Sequence, residues 1–279
     1  MEKILQGAIL IIIAMLIFGS FGIFSRAIDS PVLVLVMFFQ IVGLFGMGII
    51  VFIRKTYSVK GQLKLIACYV AMNLIADMSF LAAVRYTSVA NAVFLKYTGP
   101  IYVLLLAPLL LKETRGKKII SALVLAIAGL LIILYQNISG TNAISFGIVL
   151  GIISGLTLGI VTIIIKKILT NISVYTAMFY RFLISTPIMI IVVVFSGAII
   201  PMESIAMLLF FGAIFAVVGT AIHLEGVARV SAQRASILFY IEPLAAVVFA
   251  IILLSETPTL LTLIGGLLII LSSYIMIKK

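Results

Sequence analysis

The sequence predicts an all-α integral membrane protein of ten transmembrane helices, arranged as two inverted five-helix repeats. Three observations predict it. The chain has 279 residues, of which 65% are hydrophobic and only 10% charged. A soluble domain carries about 25% charged residues, so the solvent of this chain is lipid. Its apolar runs are about as long as a bilayer requires, roughly 20 residues each. One stretch also recurs. Asn91 to Thr114 aligns without a gap on Arg234 to Thr257, so that Ala92 meets Ala235, Leu95 meets Leu238 and Tyr97 meets Tyr240. Pro100 likewise meets Pro243, and Glu113-Thr114 meets Glu256-Thr257. A repeat of half the chain fixes the architecture before any single element does.

The spans fall at about 4–24, 31–53, 63–84, 88–111, 118–136, 144–165, 174–197, 204–224, 232–254 and 258–277. Met1 to Phe18 reads as the first span and not as a cleaved leader, because its apolar run is too long. The linkers are short and carry turn residues, among them Asp29-Ser30-Pro31, Asn137 to Asn142, Asn171-Ile172-Ser173 and Pro201. Consecutive helices are therefore antiparallel neighbours. The first repeat covers 1–139 and the second 140–279.

Orientation follows from the basic residues. With the N-terminus in the cytoplasm, fifteen of the 19 Lys and Arg residues fall on the cytoplasmic side, and only Arg26 and Arg85 fall outside. Both termini are then cytoplasmic, in a plasma or inner membrane. Five spans per half is an odd number, so the second half crosses the membrane in the opposite sense. Inverted repeats of this kind characterise carriers with a midplane site and alternating access.

The net charge of +11 suggests nucleic acid at first sight. The basic residues sit in short loops between apolar runs and form no single patch, so nucleic acid is rejected. The single cysteine, Cys68, excludes an internal disulfide framework. No Gly-rich loop ends in Gly-Lys-Ser/Thr, so no ATPase motor is built in. A single histidine and no Cys/His cluster imply no metal site and no cofactor. No catalytic pairing of residues is visible, so an enzyme is not expected. Rings of like charge, which a channel would need, are missing as well.

Ionisable groups inside a bilayer cost about 2.5–3.5 kcal/mol each on insertion scales and usually face a cavity or a partner. Asp77, Lys96, Arg181 and Glu242 are four such groups. Spans 3 and 4 form a hairpin, which puts Asp77 and Lys96 at one level. Two readings compete. In one, Asp77 pairs with Lys96 and Arg181 with Glu242, locking helices together. In the other, the charges line a cavity, with Lys96 meeting a substrate carboxylate and Glu242 an ammonium or a coupling proton. Pro100 and Pro243 each remove a helix hydrogen bond, and they are expected to kink spans 4 and 9 as hinges near mid-membrane. Tyr97 and Tyr240 offer an aromatic face and a hydroxyl to the same cavity. Asn73 and Gln40 are candidate cavity groups or helix-joining groups. Gly151, Gly155 and Gly159 form a thin helix face. Glu113 and Glu256 read as interface residues that end spans 4 and 9. His223 reads as a polar residue at the cytoplasmic end of span 8.

A family resemblance rests on particular residues. In the first half these are Ala90-Asn91-Ala92 through Pro100 to Lys112-Glu113, then Ala128-Gly129. In the second they are Ala235 through Glu242-Pro243 to Ser255-Glu256, then Gly265-Gly266, with Phe179-Tyr180-Arg181-Phe182 in span 7. With these, the chain resembles the EamA branch of the drug/metabolite transporter superfamily. Phe38-Phe39-Gln40-Ile41 departs from the pattern, with Gln where Arg is common. The resemblance implies a secondary carrier of small polar metabolites, an exporter of amino acids or related compounds. Its implied partners are a small-molecule substrate, the lipid bilayer and protons, with the chain a monomer or homodimer. The alternative is a flippase for a lipid or lipid-linked head group.

Overall fold

The computed structural model describes residues 2–21, 24, 27–59, 61–86, 95–113, 116–135, 146–254 and 260–277. Among them every regular element is helical and none is a strand. The first half contains α1 (Glu2–Gly19), α2 (Val32–Arg54), α3 (Leu63–Tyr86), α4 (Gly99–Leu110) and α5 (Lys117–Tyr135). The second contains α6 (Phe146–Ile168), α7 (Val174–Ser196), α8 (Met202–Arg229), α9 (Ala232–Leu238), α10 (Ile241–Leu254) and α11 (Leu260–Ile277). Six of the described helices are long and apolar enough to cross a bilayer: α1, α2, the Leu63–Phe80 part of α3, α6, α7 and α8.

The burial pattern is that of a protein with an apolar exterior. Phe45, Ile49 and Phe52 on α2 and Ile191, Val194 and Phe195 on α7 are exposed, Phe195 by 87%. Water would penalise such a surface; lipid matches it. The interior is also apolar, with Ile11, Met15, Met178, Phe182 and Tyr240 fully buried in one cluster. What distinguishes the interior is its polar joints. Ser154 donates to the Ala76 carbonyl between α6 and α3 at 3.0 Å. Ser272 donates to the Ala122 carbonyl between α11 and α5 at 2.7 Å. Such short side chains join helices closely where lipid supplies no hydrophobic drive.

Spans 4 and 9 depart from expectation. Ahead of each proline the regular helix is interrupted by a two-residue turn, with the backbone still right-handed helical at Thr98 and Phe239. One break is at Tyr97-Thr98, after which α4 starts at Gly99. The other is at Phe239-Tyr240, between α9 and α10. The physical reason is that Pro100 and Pro243 then sit in the first turn of a new helix, where a missing N–H costs little, whereas an interior proline costs about 3 kcal/mol. Tight turns close the breaks: the Thr98 N–H and hydroxyl both bond the Leu95 carbonyl, and the Glu242 N–H bonds the Phe239 carbonyl at 3.0 Å. The start of span 4 lies outside the described residues.

The turn between α8 and α9 is held from the first half. Glu113, just past α4, accepts the backbone N–H of Ala232 at 2.7 Å and of Gln233 at 3.3 Å. Lys166 near the end of α6 donates to the carbonyls of Val227 and Ala228, both at 2.9 Å. An anion therefore meets the start of α9 and a cation the end of α8, as helix ends favour. Glu113 thus does more than end span 4; it docks the two halves together. Glu256 lies outside the described residues. Replacing Glu113 by Ala strands two N–H groups and is expected to lower stability by about 1.5–3 kcal/mol. Thermal melting followed by circular dichroism in detergent checks this, since the chain has no Trp for fluorescence.

Candidate functional site

The two helix breaks touch. The Tyr240 hydroxyl donates to the Tyr97 carbonyl at 2.7 Å. The two rings lie 5.9 Å apart, tilted by 32°. The Tyr97 carbonyl is buried next to the first break, and the hydroxyl satisfies it. Tyr97 and Tyr240 are the same position of the repeated stretch, so each break is joined to its own counterpart.

The ionisable residues gather around this joint. Lys96 precedes Tyr97, with its ammonium 5.0 Å from the centre of the Phe80 ring and 5.6 Å from that of Tyr97. Glu242, in the first turn of α10, lies beside the Tyr97 hydroxyl. Asp77 on α3 is within electrostatic reach of both Arg181 and Lys96. Arg181 on α7 sits over rings, 5.4 Å from Phe182 and 6.0 Å from Tyr69. His223 on α8 is within electrostatic reach of Arg181 and meets Phe239 edge-on at 5.0 Å and Phe18 at 5.8 Å. Four helices and the stretch before α4 thus contribute one ionisable residue each.

These charges are not consumed by one another. Among the described residues, no salt bridge joins any two of Asp77, Lys96, Arg181 and Glu242; the ion pair seen is Arg229 with Glu225 at 2.8 Å, at the end of α8. Neither Lys96 nor Arg181 has a hydrogen-bond acceptor there. Both cations rest on aromatic faces instead, which attract a cation by about 0.5–2 kcal/mol without neutralising it. The pairing of Asp77 with Lys96 and of Arg181 with Glu242 is therefore not made as direct contacts. Asp77 is exposed within its helix surroundings, while Lys96, Arg181 and Glu242 are half-buried. Such an arrangement can take a ligand carrying charges of both signs.

Asn73 lies one turn before Asp77 and donates to the Tyr69 carbonyl at 2.8 Å. Gln40 is buried between α2 and α7, where its side-chain oxygen accepts the Ser185 hydroxyl at 2.8 Å and its carbonyl accepts Thr186 at 3.2 Å. Gln40 thus joins helices. His223 lies deeper than the sequence reading placed it. Its span was expected to end at about residue 224, but α8 continues to Arg229. Six further residues put His223 about 9 Å inside the helix end at 1.5 Å per residue. No periodicity could have signalled this, because α8 also contains a π-helical segment, Ala213–Gly219.

Residues 5–135 and 145–278 each match the EamA-like transporter family. The chain belongs to that family. Transport, and not catalysis, is what the EamA-like assignment carries, and with the six long apolar helices it makes this a multi-pass membrane protein with a small-molecule substrate. Relatives agree. A protein of Archaeoglobus fulgidus described as an uncharacterized transporter is 30% identical over 198 residues, 71% of this chain and 70% of the relative. One of Clostridium kluyveri, described in the same words, is 28% identical over 207 residues, 69% of this chain and 65% of the relative. A solved crystal structure superposes with a TM-score of 0.84 at 12% identity, covering 96% of this chain and 95% of the other. That likeness is one of fold.

The Tyr240 hydroxyl carries a testable consequence. Tyr240→Phe leaves the buried Tyr97 carbonyl unpaired and is expected to lower stability by about 1–3 kcal/mol, read as a lower melting temperature in detergent.

Proposed function

We propose that this chain is a secondary-active transporter working by alternating access, and that it exports amino acids or related small polar metabolites. The observation that carries the reading is the group of charges of both signs at two touching helix breaks, inside an apolar shell and without direct ion pairs. Discontinuous helices are a recurring way for transporters to present substrate groups at mid-membrane. Lys96 and Arg181 receive a carboxylate, and Glu242 and Asp77 receive an ammonium or a coupling proton. Tyr97, Tyr240 and Asn73 line the same space. The outward direction comes from the family resemblance.

Alternating access needs two halves that can exchange conformations, and the packing supports an inverted repeat of ten spans. A methyl group on Gly159 would lie 2.9 Å from the Tyr102 side chain and 3.0 Å from the Gly99 carbonyl. One on Gly19 would lie 2.5 Å from the Ala245 side chain and 2.9 Å from the Glu242 carbonyl. Tyr102 and Ala245, like Gly99 and Glu242, occupy equivalent positions of the repeated stretch, so α6 meets α4 as α1 meets α10. Ser272 meets Ala122 while Gly129 approaches Gly265, and here each position is matched by its counterpart. Two contacts that exchange under one repeat offset are what a two-fold relation produces. Each five-span half, 1–139 and 140–279, then runs in the opposite sense, with both termini on the cytoplasmic side of the cell membrane.

Counterflow in proteoliposomes tests the reading. With a mixed pool of labelled amino acids, sugars and nucleosides, the wild type is expected to exchange an amino acid, and Lys96→Ala and Glu242→Gln each to reduce that exchange at least about tenfold. Exchange unchanged in both variants removes the site from this reading.

A further inference from the structure

We propose that His223 and Arg181 form an anion subsite, in which the imidazole Nε2–H donates to the carboxylate of the transported molecule. The inference rests on the transporter reading above and names a contact that the reading does not contain. Its starting point is an unpaired atom. Nε2 of His223 is buried and has no hydrogen-bond partner among the described residues. Buried polar atoms in native proteins are almost always satisfied. The imidazole is held by ring contacts alone, edge-on to Phe239 and to Phe18. Neither contact uses the nitrogen, which is left without a partner; in the Nε2–H tautomer it is a donor that lacks an acceptor.

The sign of the missing partner follows from the charge beside it. The charge within electrostatic reach of His223, itself buried, is Arg181, whose guanidinium lies over Tyr69 and Phe182 and has no hydrogen bond to a described residue. A ligand cation placed there would meet a fixed cation. A carboxylate would satisfy both unpaired donors and gain charge-assisted hydrogen bonds, which are the stronger kind. The preceding π-helical segment, Ala213–Gly219, fits this use, since π-bulges occur frequently at functional sites.

The repeat gives a second, independent argument. Sliding the chain by the offset that matches Tyr97 to Tyr240 brings Phe80 onto His223 and Lys96 onto Phe239. In one half the Lys96 ammonium stands 5.0 Å from the Phe80 ring. In the other the His223 ring stands 5.0 Å from the Phe239 ring. Each half therefore places one nitrogen-bearing side chain against one phenyl ring, with the two places exchanged. His223 is to its half what Lys96 is to the other, and the pair flanks the Tyr97–Tyr240 joint. A small zwitterion can take its carboxylate from one donor group to the other as the halves exchange conformations.

The test uses the full chain in proteoliposomes with the twenty labelled amino acids, followed by competition with the best-transported amino acid and with its decarboxylated amine. His223→Phe copies the residue at the equivalent position, and His223→Gln keeps an N–H donor. The expected result is a rise of about tenfold or more in half-saturation for His223→Phe, with maximal exchange changed less than about twofold. His223→Gln recovers most of the loss, and the amine competes equally weakly in the wild type and His223→Phe. An unchanged half-saturation in His223→Phe, while Lys96→Ala abolishes exchange, overturns the subsite alone. Equal losses of maximal exchange in both His223 variants, with half-saturation unchanged, mark a packing role and overturn it too. A wild type that moves no amino acid overturns the underlying reading of the substrate class.

Discussion

The hydrogen bond from Tyr240 to the Tyr97 carbonyl is the joint on which the centre of this protein depends. A backbone that leaves its helix inside a bilayer frees carbonyl and N–H groups that lipid cannot satisfy, and such breaks survive only where protein or a cavity receives them. Here two helices are interrupted within one residue of the same repeat position, and one interruption supplies the hydroxyl that the Tyr97 carbonyl in the other accepts. The Tyr97 carbonyl is thus not left open to lipid. The prolines that follow, Pro100 and Pro243, make continuation of the old helix costly and the start of a new one cheap. The break is therefore written into the sequence, and its satisfaction comes from tertiary contact.

Breaking both helices at one place has a consequence for charge. Lys96 precedes the first break and Glu242 follows the second, so both project where the packing of the helices is interrupted. Asp77, Arg181 and His223 reach the same region from α3, α7 and α8. Each such group carries a cost in the membrane. A structural use would repay that cost through direct ion pairs. The described residues show aromatic contacts instead. Under the proposed function, charges kept available for a ligand give up stability for binding, as functional sites commonly do.

How much of this was legible in the sequence differs by residue. The repeated stretch and the intramembrane charges could be read directly, because both are patterns of residue type. The gathering of Asp77 and Lys96 followed from hairpin geometry. Pro100 and Pro243 marked the right positions, but a proline does not say whether a helix bends or stops; the tight turns at Thr98 and Tyr240 decide that. Gln40 was ambiguous, since an amide suits a cavity as well as a helix joint; its side-chain oxygen accepts the Ser185 hydroxyl. Glu113 and His223 have contacts that the sequence reading did not include, for one reason. Both lie near helix ends, where span boundaries read from hydropathy are least certain. Glu113 meets α9 across the chain, and α8 runs further than its apolar stretch.

The measurement that bears most directly on the account is the stability of the protein with its central charges removed singly. Lys96→Met and Glu242→Gln would be melted in detergent without substrate, against the wild type. If the charges are held for a ligand, each variant is as stable as the wild type or more so, because an uncompensated cost has been removed. If they are structural ion pairs, each variant strands a buried partner and loses about 3–5 kcal/mol. Such a loss in both would contradict the central claim.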